Sequence, residues 1–273
     1  MQKIDKLSKL YVEMQRKGIK PWVGIKALLQ IDFLKALYQI TEAEDVVLQG
    51  GGALHFVYNS PRLSVNLDFA HKHPKVDAII SLSYEKLKEY VSEDLGIFPE
   101  LEIVKSEEKF LRAKILIETG KAQHISCNLE FYEIPCYQTG KHPLAEMPSC
   151  IVMVEEPSEI LADKLVANLD RMRRGFLKMR DLYDIWYIKD VLNAQLPDTQ
   201  LAYNKFVDYK IKVRTKYFEH LEKKLLKPET IEELGAALKG FLPDEYLERM
   251  DLRKVLHEVK DFFQTYRGVY DHS

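Results

Sequence analysis

The residues best placed to do chemistry lie in one stretch, GGGALHFVYNSPRLSVNLDF at positions 50–69. Three glycines following the apolar run Val46-Val47-Leu48 remove every Cβ from a turn, so that backbone N–H groups can approach an anion closely. Further along comes Val65-Asn66-Leu67-Asp68-Phe69. Read as a strand, it turns its apolar residues to one face and Asn66 with Asp68 to the other. Two oxygen-bearing side chains beside a glycine-rich turn suit Mg²⁺ (or Mn²⁺) and the phosphates of a nucleoside triphosphate, because a hard cation takes carboxylate and phosphate oxygens together. A half-exposed edge strand with its polar face in water has the same pattern. No GK[ST] or GxGxxG follows the glycines, so the turn is neither the lysine-containing phosphate loop nor the dinucleotide fingerprint.

A second alternating segment, Ile125 to Tyr132, sets Ser126, Asn128, Glu130 and Tyr132 opposite an apolar face. Glu130 is thereby a candidate third oxygen ligand, a carboxylate, for the same metal, with a solvated sheet face as the alternative. Two helices carry the remaining candidates. In the first, Lys164 lies beside the apolar stripe Leu161, Leu165, Leu169 and Met172. It either snorkels to water or points into a cleft. In the second, Arg180-Asp181-Leu182-Tyr183-Asp184, the two acids are one turn apart and share a side with Ile185, Ile188 and Val191. Arg180 can pair with Asp184, and acids aligned with an apolar face need partners. A purely structural ion-pair network between the helices fits equally well.

The elements that must position these residues follow from periodicity. Helices are expected at 3–17 and 22–41, the latter with a stripe of Leu28, Leu29, Ile31, Leu34, Leu37 and Ile40. A strand at 46–48 precedes a helix at 53–59, which Asn59-Ser60-Pro61 ends. A strand at 63–69 and a helix at 84–95 come next. Three strands, at 101–106, 110–118 and 124–133, are joined by turns at 106–108 and at Gly120-Lys121. A short strand at 151–154 leads to a helix opened by Pro157-Ser158, with Ser158 as its N-cap. Beyond it the pattern is almost entirely helical. The fold class is α+β, with an N-terminal mixed sheet over 1–155 and a C-terminal helical domain over 156–273.

Composition bounds the function. A formal charge of −2, with 46% hydrophobic and 30% charged residues, describes an ordinary globular chain and excludes a globally basic nucleic-acid binder. Local basic clusters remain. Between 205 and 227 eight Lys or Arg stand against three acids, and Arg171, Arg173, Arg174 and Lys178 form another group. Such patches suit phosphate contacts, although a solvated charged helix produces the same run. The amphipathic N-terminus lacks the apolar core of a signal peptide, and no apolar run reaches the roughly 18 residues that span a bilayer, so no membrane role is expected. Cys127, Cys136 and Cys150 have neither disulfide-framework nor zinc spacing, which fits a cytoplasmic protein.

Together these motifs resemble the AbiEii/AbiGii toxins, a branch of the DNA polymerase β-like nucleotidyltransferases. The family pattern is GGTAL, R-x-S-x-D-x-D, a helical A-D-K, and R-D-x-x-D. Here these are Gly51-Gly52-Ala53-Leu54 with Gly50 one place earlier, then Arg62, Ser64, Asn66 and Asp68, then Ala162-Asp163-Lys164, and finally Arg180, Asp181 and Asp184. The resemblance implies a nucleotidyltransferase core whose active site is completed by the first helices beyond residue 155. It implies that Gly51, Gly52, Ser64, Arg62, Lys164 and Arg180 bind the nucleotide. Asp68 and the residue at 66 would hold Mg²⁺, with Lys164 neutralising triphosphate charge and Asp181 or Asp184 acting at the acceptor side. It also implies an NTP as substrate, an RNA end such as that of tRNA as acceptor, and a cognate antitoxin encoded nearby. The chain departs from the family at Asn66, where members have Asp, and at Gly52, where they have Thr. The first change weakens metal binding and leaves open a catalytically lapsed nucleotide-binding protein; separately, the same core could serve a transferase acting on a small hydroxylated molecule.

Overall fold

The computed structural model describes residues 3–72, 76–118, 124–212 and 214–267. It divides into two compact units. The first runs to Glu155 and also takes back Gly240–Asp244; the second holds Glu156–Lys239 and the chain from Glu245 onward.

Unit 1 opens with helices α1 (Lys3–Arg16) and α2 (Pro21–Leu37), and a 3-10 turn at Thr41–Asp45 leads into β1 (Val46–Gln49). Next come α3 (Gly50–Phe56), β2 (Asn66–His71), α4 (Val76–Leu95), and the strands β3 (Glu100–Glu107), β4 (Phe110–Glu118), β5 (His124–Glu133), β6 (Thr139–Leu144) and β7 (Met147–Glu155). The seven strands form one mixed sheet in the order β3-β4-β5-β2-β1-β7-β6. β2 runs parallel to β5 and antiparallel to β1.

Strict alternation on β4 and β5 gives the sheet one apolar face. Leu67, Phe69, Ala113, Ile115, Cys127, Leu129 and Phe131 are all buried there. Phe69 stacks on Phe131 at 4.8 Å, and Phe33 of α2 meets Phe69 edge-on at 6.2 Å. α2 is buried on most of its sides, Gln30 and Asp32 included. The opposite face of the sheet carries the polar residues and therefore the candidate site. The returning segment is tied in by main-chain bonds: Leu63 N–H donates to the Phe241 carbonyl (2.9 Å) and Asp244 N–H to that of Lys17 (2.9 Å).

Several boundaries differ from expectation for identifiable reasons. β2 begins at Asn66 rather than 63, because Ser64 spends its hydroxyl on the Asn66 carbonyl (2.9 Å). The glycines form the first turn of α3 instead of a loop ahead of a helix at 53–59; a first turn has no preceding carbonyls to bond, so it tolerates glycine. α4 starts at Val76, where Val76, Ile79, Ile80, Leu87 and Val91 supply the buried stripe. β6 lies between the strands expected at 124–133 and 151–154, where no element is expected; it is an edge strand, where proline is tolerated. The expected turn at Gly120-Lys121 lies outside the described residues.

Unit 2 is helical: α5 (Pro157–Arg173), α6 (Met179–Trp186) continuing into a π-helical turn at Tyr187–Val191, α7 (Thr199–Asp208), α8 (Thr215–Leu225), α9 (Pro228–Leu238), α10 (Asp244–Glu248) and α11 (Leu252–Arg267). The N-cap of α5 lies two residues earlier than expected. Glu156 is its N-cap and Pro157 its first residue, where a fixed φ and a missing N–H do no harm, so Ser158 is not the cap.

Candidate active site

Strand register organises the polar face of unit 1 into rows. Gln49 pairs with Asp68, Asp68 with Glu130, and Glu130 with Arg112. One row along, Asn66 pairs with Asn128, and Asn128 with Lys114. Neighbouring strands lie about 4.8 Å apart, so the carboxylates of Asp68 and Glu130 emerge side by side on one face. Asn66 stands two residues from Asp68 on that same face. Glu130 is already engaged: the Tyr132 hydroxyl donates to one oxygen (2.5 Å) and Arg112 reaches the other (3.1 Å). Burial, followed by the carboxylate it donates to, pushes the Tyr132 phenol well above its ordinary range, so it stays a donor.

The start of α3 lies against this row. Gly50 adopts φ +60°, and a Cβ placed on it would stand 3.7 Å from an Asp68 carboxylate oxygen. A side chain on Gly51 would come within 2.6 Å of the Arg62 guanidinium. Glycine is what lets that buried guanidinium lie flat against the helix start. Arg62 also donates to the Leu63 carbonyl (3.1 Å). The first N–H groups of α3 have no partner within the helix, and Gln49, its N-cap, gives no side-chain bond to them. The Gln49 amide donates instead to the fully buried Glu155 (2.6 Å). A cation, N–H groups without partners inside their helix and a pair of carboxylates therefore meet at one helix start, which suits a phosphate and a hard metal ion together.

Two residues that position this site escaped sequence reading. Gln30, on the buried α2, has its amide set between the Ser64 carbonyl and the Asn66 N–H, both at 3.2 Å when its nitrogen donates to the first and its oxygen accepts from the second. It fixes the start of β2 from below. Its signal was a lone glutamine inside the apolar run ALLQIDFLKAL. Gln49 is the second; the strand expected at 46–48 stops one residue short of it.

Unit 2 holds its own charged cluster. The Lys164 ammonium donates to Asp181 (2.6 Å) and to Asp184 (2.7 Å), and Arg171 also pairs with Asp181. All three members of the lysine cluster are buried, so the α5–α6 contact is an ion network and Lys164 does not snorkel to water. Burial alone would raise the Asp181 carboxyl, but Lys164, Lys178 and Arg171 outweigh it and hold the group far below the ordinary carboxylate range. Arg180 is half-buried at the start of α6.

Residues 32–265 match the family described as nucleotidyl transferase AbiEii toxin, type IV toxin–antitoxin system. The chain belongs to this family. It is thus a nucleotidyltransferase toxin, and membership implies an NTP substrate and an antitoxin partner. Solved structures of similar fold include JHP933 from Helicobacter pylori (TM-score 0.52, 16% identity, covering 93% of this chain and 95% of that one). Another is MenT4, the nucleotidyltransferase toxin Rv2826c from Mycobacterium tuberculosis H37Rv (TM-score 0.52, 15% identity, 97% and 94% covered). No curated protein matches. No helix among the described residues is long and apolar enough to cross a membrane.

Two further features of this AbiEii chain concern Gly52, where the family has threonine, and the basic run at 205–227. A Cβ at Gly52 would stand 3.0 Å from Leu67 and 3.4 Å from Leu48, so the family's threonine there needs those leucines to shift. The second concerns the basic run at 205–227, from which Lys205 must be removed. It is fully buried on the inner side of α7, paired with Glu159 (2.6 Å) and Asp163 (3.1 Å) of α5. It is a core ion pair, not a phosphate contact. The physical reason is its spacing, one turn after the buried Leu201.

Proposed function

We propose that this toxin transfers a nucleoside monophosphate from an NTP to the hydroxyl of an RNA end. The pairing of Asp68 with Glu130 on parallel strands, beside the start of α3, carries the reading. The donor set fits a hard divalent ion: Asp68, Glu130 and the carbonyl oxygen of the Asn66 amide are oxygen ligands on one face. A bound Mg²⁺ or Mn²⁺ supplies positive charge to the phosphate oxygens. Arg62 and the first N–H groups of α3 bind the triphosphate and hold its α-phosphate in line with the acceptor. The acceptor oxygen then forms a bond to the α-phosphorus, the bond from that phosphorus to the bridging oxygen breaks, pyrophosphate leaves, and the hydroxyl proton passes to a carboxylate or to water. Lys164, Asp181 and Asp184 are proposed to serve triphosphate charge and acceptor positioning.

The Asn66–Asn128 row supports a second reading, a protein that retains nucleotide binding with weakened transfer, because this row offers a metal no carboxylate. The two readings separate on incubating the chain with each labelled NTP, Mg²⁺ or Mn²⁺, and total RNA. We expect label in RNA, and its loss by at least a hundredfold in Asp68→Ala. Metal-dependent NTP binding without label in RNA would leave the second reading standing.

A further inference from the structure

We infer that Phe176 is a stacking platform for a base of a single-stranded RNA acceptor, flanked by Arg174 and Lys178 as phosphate contacts; the inference rests on the RNA acceptor proposed above. α5 ends in a Schellman motif. Gly175 takes φ +86°, Phe176 N–H donates to the Arg171 carbonyl (3.1 Å), and Gly175 N–H to that of Met172 (3.1 Å). The residue in the position of Phe176 ordinarily packs on the one in the position of Arg171. Here Arg171 is turned to Asp181, and Phe176 is left 49% exposed. The ring is therefore held outward by a locked backbone.

Its surroundings point to a ligand of defined chemistry. The Arg174 guanidinium lies 5.6 Å from the ring centroid. Asp170 anchors both Arg173 and Arg174, which remain exposed, and Lys178, two residues after Phe176, is exposed as well, 4.0 Å from Asp181. Residues 170–180 contain five cations, Arg171, Arg173, Arg174, Lys178 and Arg180, against the single acid Asp170. Open space surrounds Gly175, where an added Cβ would meet nothing within 4 Å. One exposed aromatic is commonplace on a protein surface. An aromatic fixed by its backbone, capped by a guanidinium and set among exposed cations is the arrangement that single-stranded nucleic acids use, with a base on the ring and phosphates on the cations. The loop also joins the helices that carry Lys164 and Asp181.

The test is binding of a labelled, unstructured oligoribonucleotide to the full chain by fluorescence anisotropy across a salt series, with the Mg–NTP thermal shift measured in parallel. Phe176→Ala and Phe176→Leu are expected to weaken RNA binding about tenfold or more, the worth of one stacked base, while Phe176→Trp retains it. Arg174→Gln with Lys178→Gln is expected to weaken binding and flatten its salt dependence. The NTP shift should be unchanged in all four. RNA affinity unaltered in Phe176→Ala overturns the inference, and so does loss of the NTP shift in that variant, which would assign the ring to the base of the nucleotide substrate. A wild type that binds RNA through Phe176 but transfers nothing sinks the proposed activity and leaves the platform standing. Full transfer to RNA by Phe176→Ala sinks the platform alone.

Discussion

Asn66 concentrates the chemistry of this toxin at one atom. Its main chain is fixed from both sides, by Gln30 at the N–H and Ser64 at the carbonyl, so the side chain cannot move far from the face it shares with Asp68. A carboxylate there would face Asn128 across the ladder and stand near Asp68 and Glu130. Without a metal, three acids on one face repel one another. With a metal, the added charge is a ligand. Asn66→Asp is therefore expected to lower the melting temperature of the apo protein and to raise it above wild type at saturating Mg²⁺ and NTP. Affinity for Mg–NTP should improve about tenfold, which corresponds to roughly 1.4 kcal/mol, and labelling of RNA should quicken. Differential scanning fluorimetry with and without metal is the check. A variant whose stability falls equally in both conditions would show that a carboxylate at 66 gains nothing from the metal and would overturn the expectation.

At the scale of elements, what the sequence made legible is what local pattern determines. The alternation of β4 and β5 was readable residue by residue, because one buried face leaves no freedom of register. Asn66, Asp68 and Glu130 could be assigned to a common face for the same reason. What was not legible depends on partners distant in sequence: the glutamine of α2 beneath Asn66, the pairing of Glu155 with Gln49, and the edge strand β6, which exists because β7 offers it a ladder. Lys205 shows the ambiguity most sharply, since a lysine in a basic run looks the same whether it faces water or the core. Its burial with Glu159 and Asp163 makes a prediction. Lys205→Met leaves two acids without their counter-ion and is expected to cost about 3–5 kcal/mol in urea unfolding, whereas Lys210→Met, at an exposed position, changes stability little. Adding Glu159→Leu to Lys205→Met should recover part of the loss, because one of the stranded charges goes with it. A loss no greater than that of Lys210→Met would show that the pair contributes nothing net.

At the scale of the whole molecule, the two units carry different acid-sensitive groups. In unit 1, burial holds the His55 imidazole below its ordinary value of about 6.5, and its Nδ1–H donates to the Ser60 carbonyl (2.7 Å), so the folded unit keeps the ring neutral. The unfolded chain binds that proton first as pH falls. Stability is then fully present above about pH 6.5 and declines from there down to the lowered folded value, by up to about 1.4 kcal/mol per pH unit. In unit 2 the sensitive group is Asp181, ionised within its cluster of cations. Its contribution is intact above the unfolded carboxylate value of about 3.9 and fades only below it. Acid should therefore weaken unit 1 before unit 2. The chain provides a reporter for each, since its two tryptophans fall one to a unit, Trp22 in the first and Trp186 in the second. Replacing one at a time by Phe leaves a single emitter, and fluorescence followed from pH 8 to pH 2 in moderate urea reads each unit separately. The Trp22 signal is expected to begin its transition between pH 6.5 and 4, ahead of Trp186. His55→Gln, which removes the titrating ring, should draw the Trp22 transition toward the more acidic one. Coincident midpoints in the two single-tryptophan proteins, unmoved by His55→Gln, would show that the units unfold as one and that His55 does not set the acid limit.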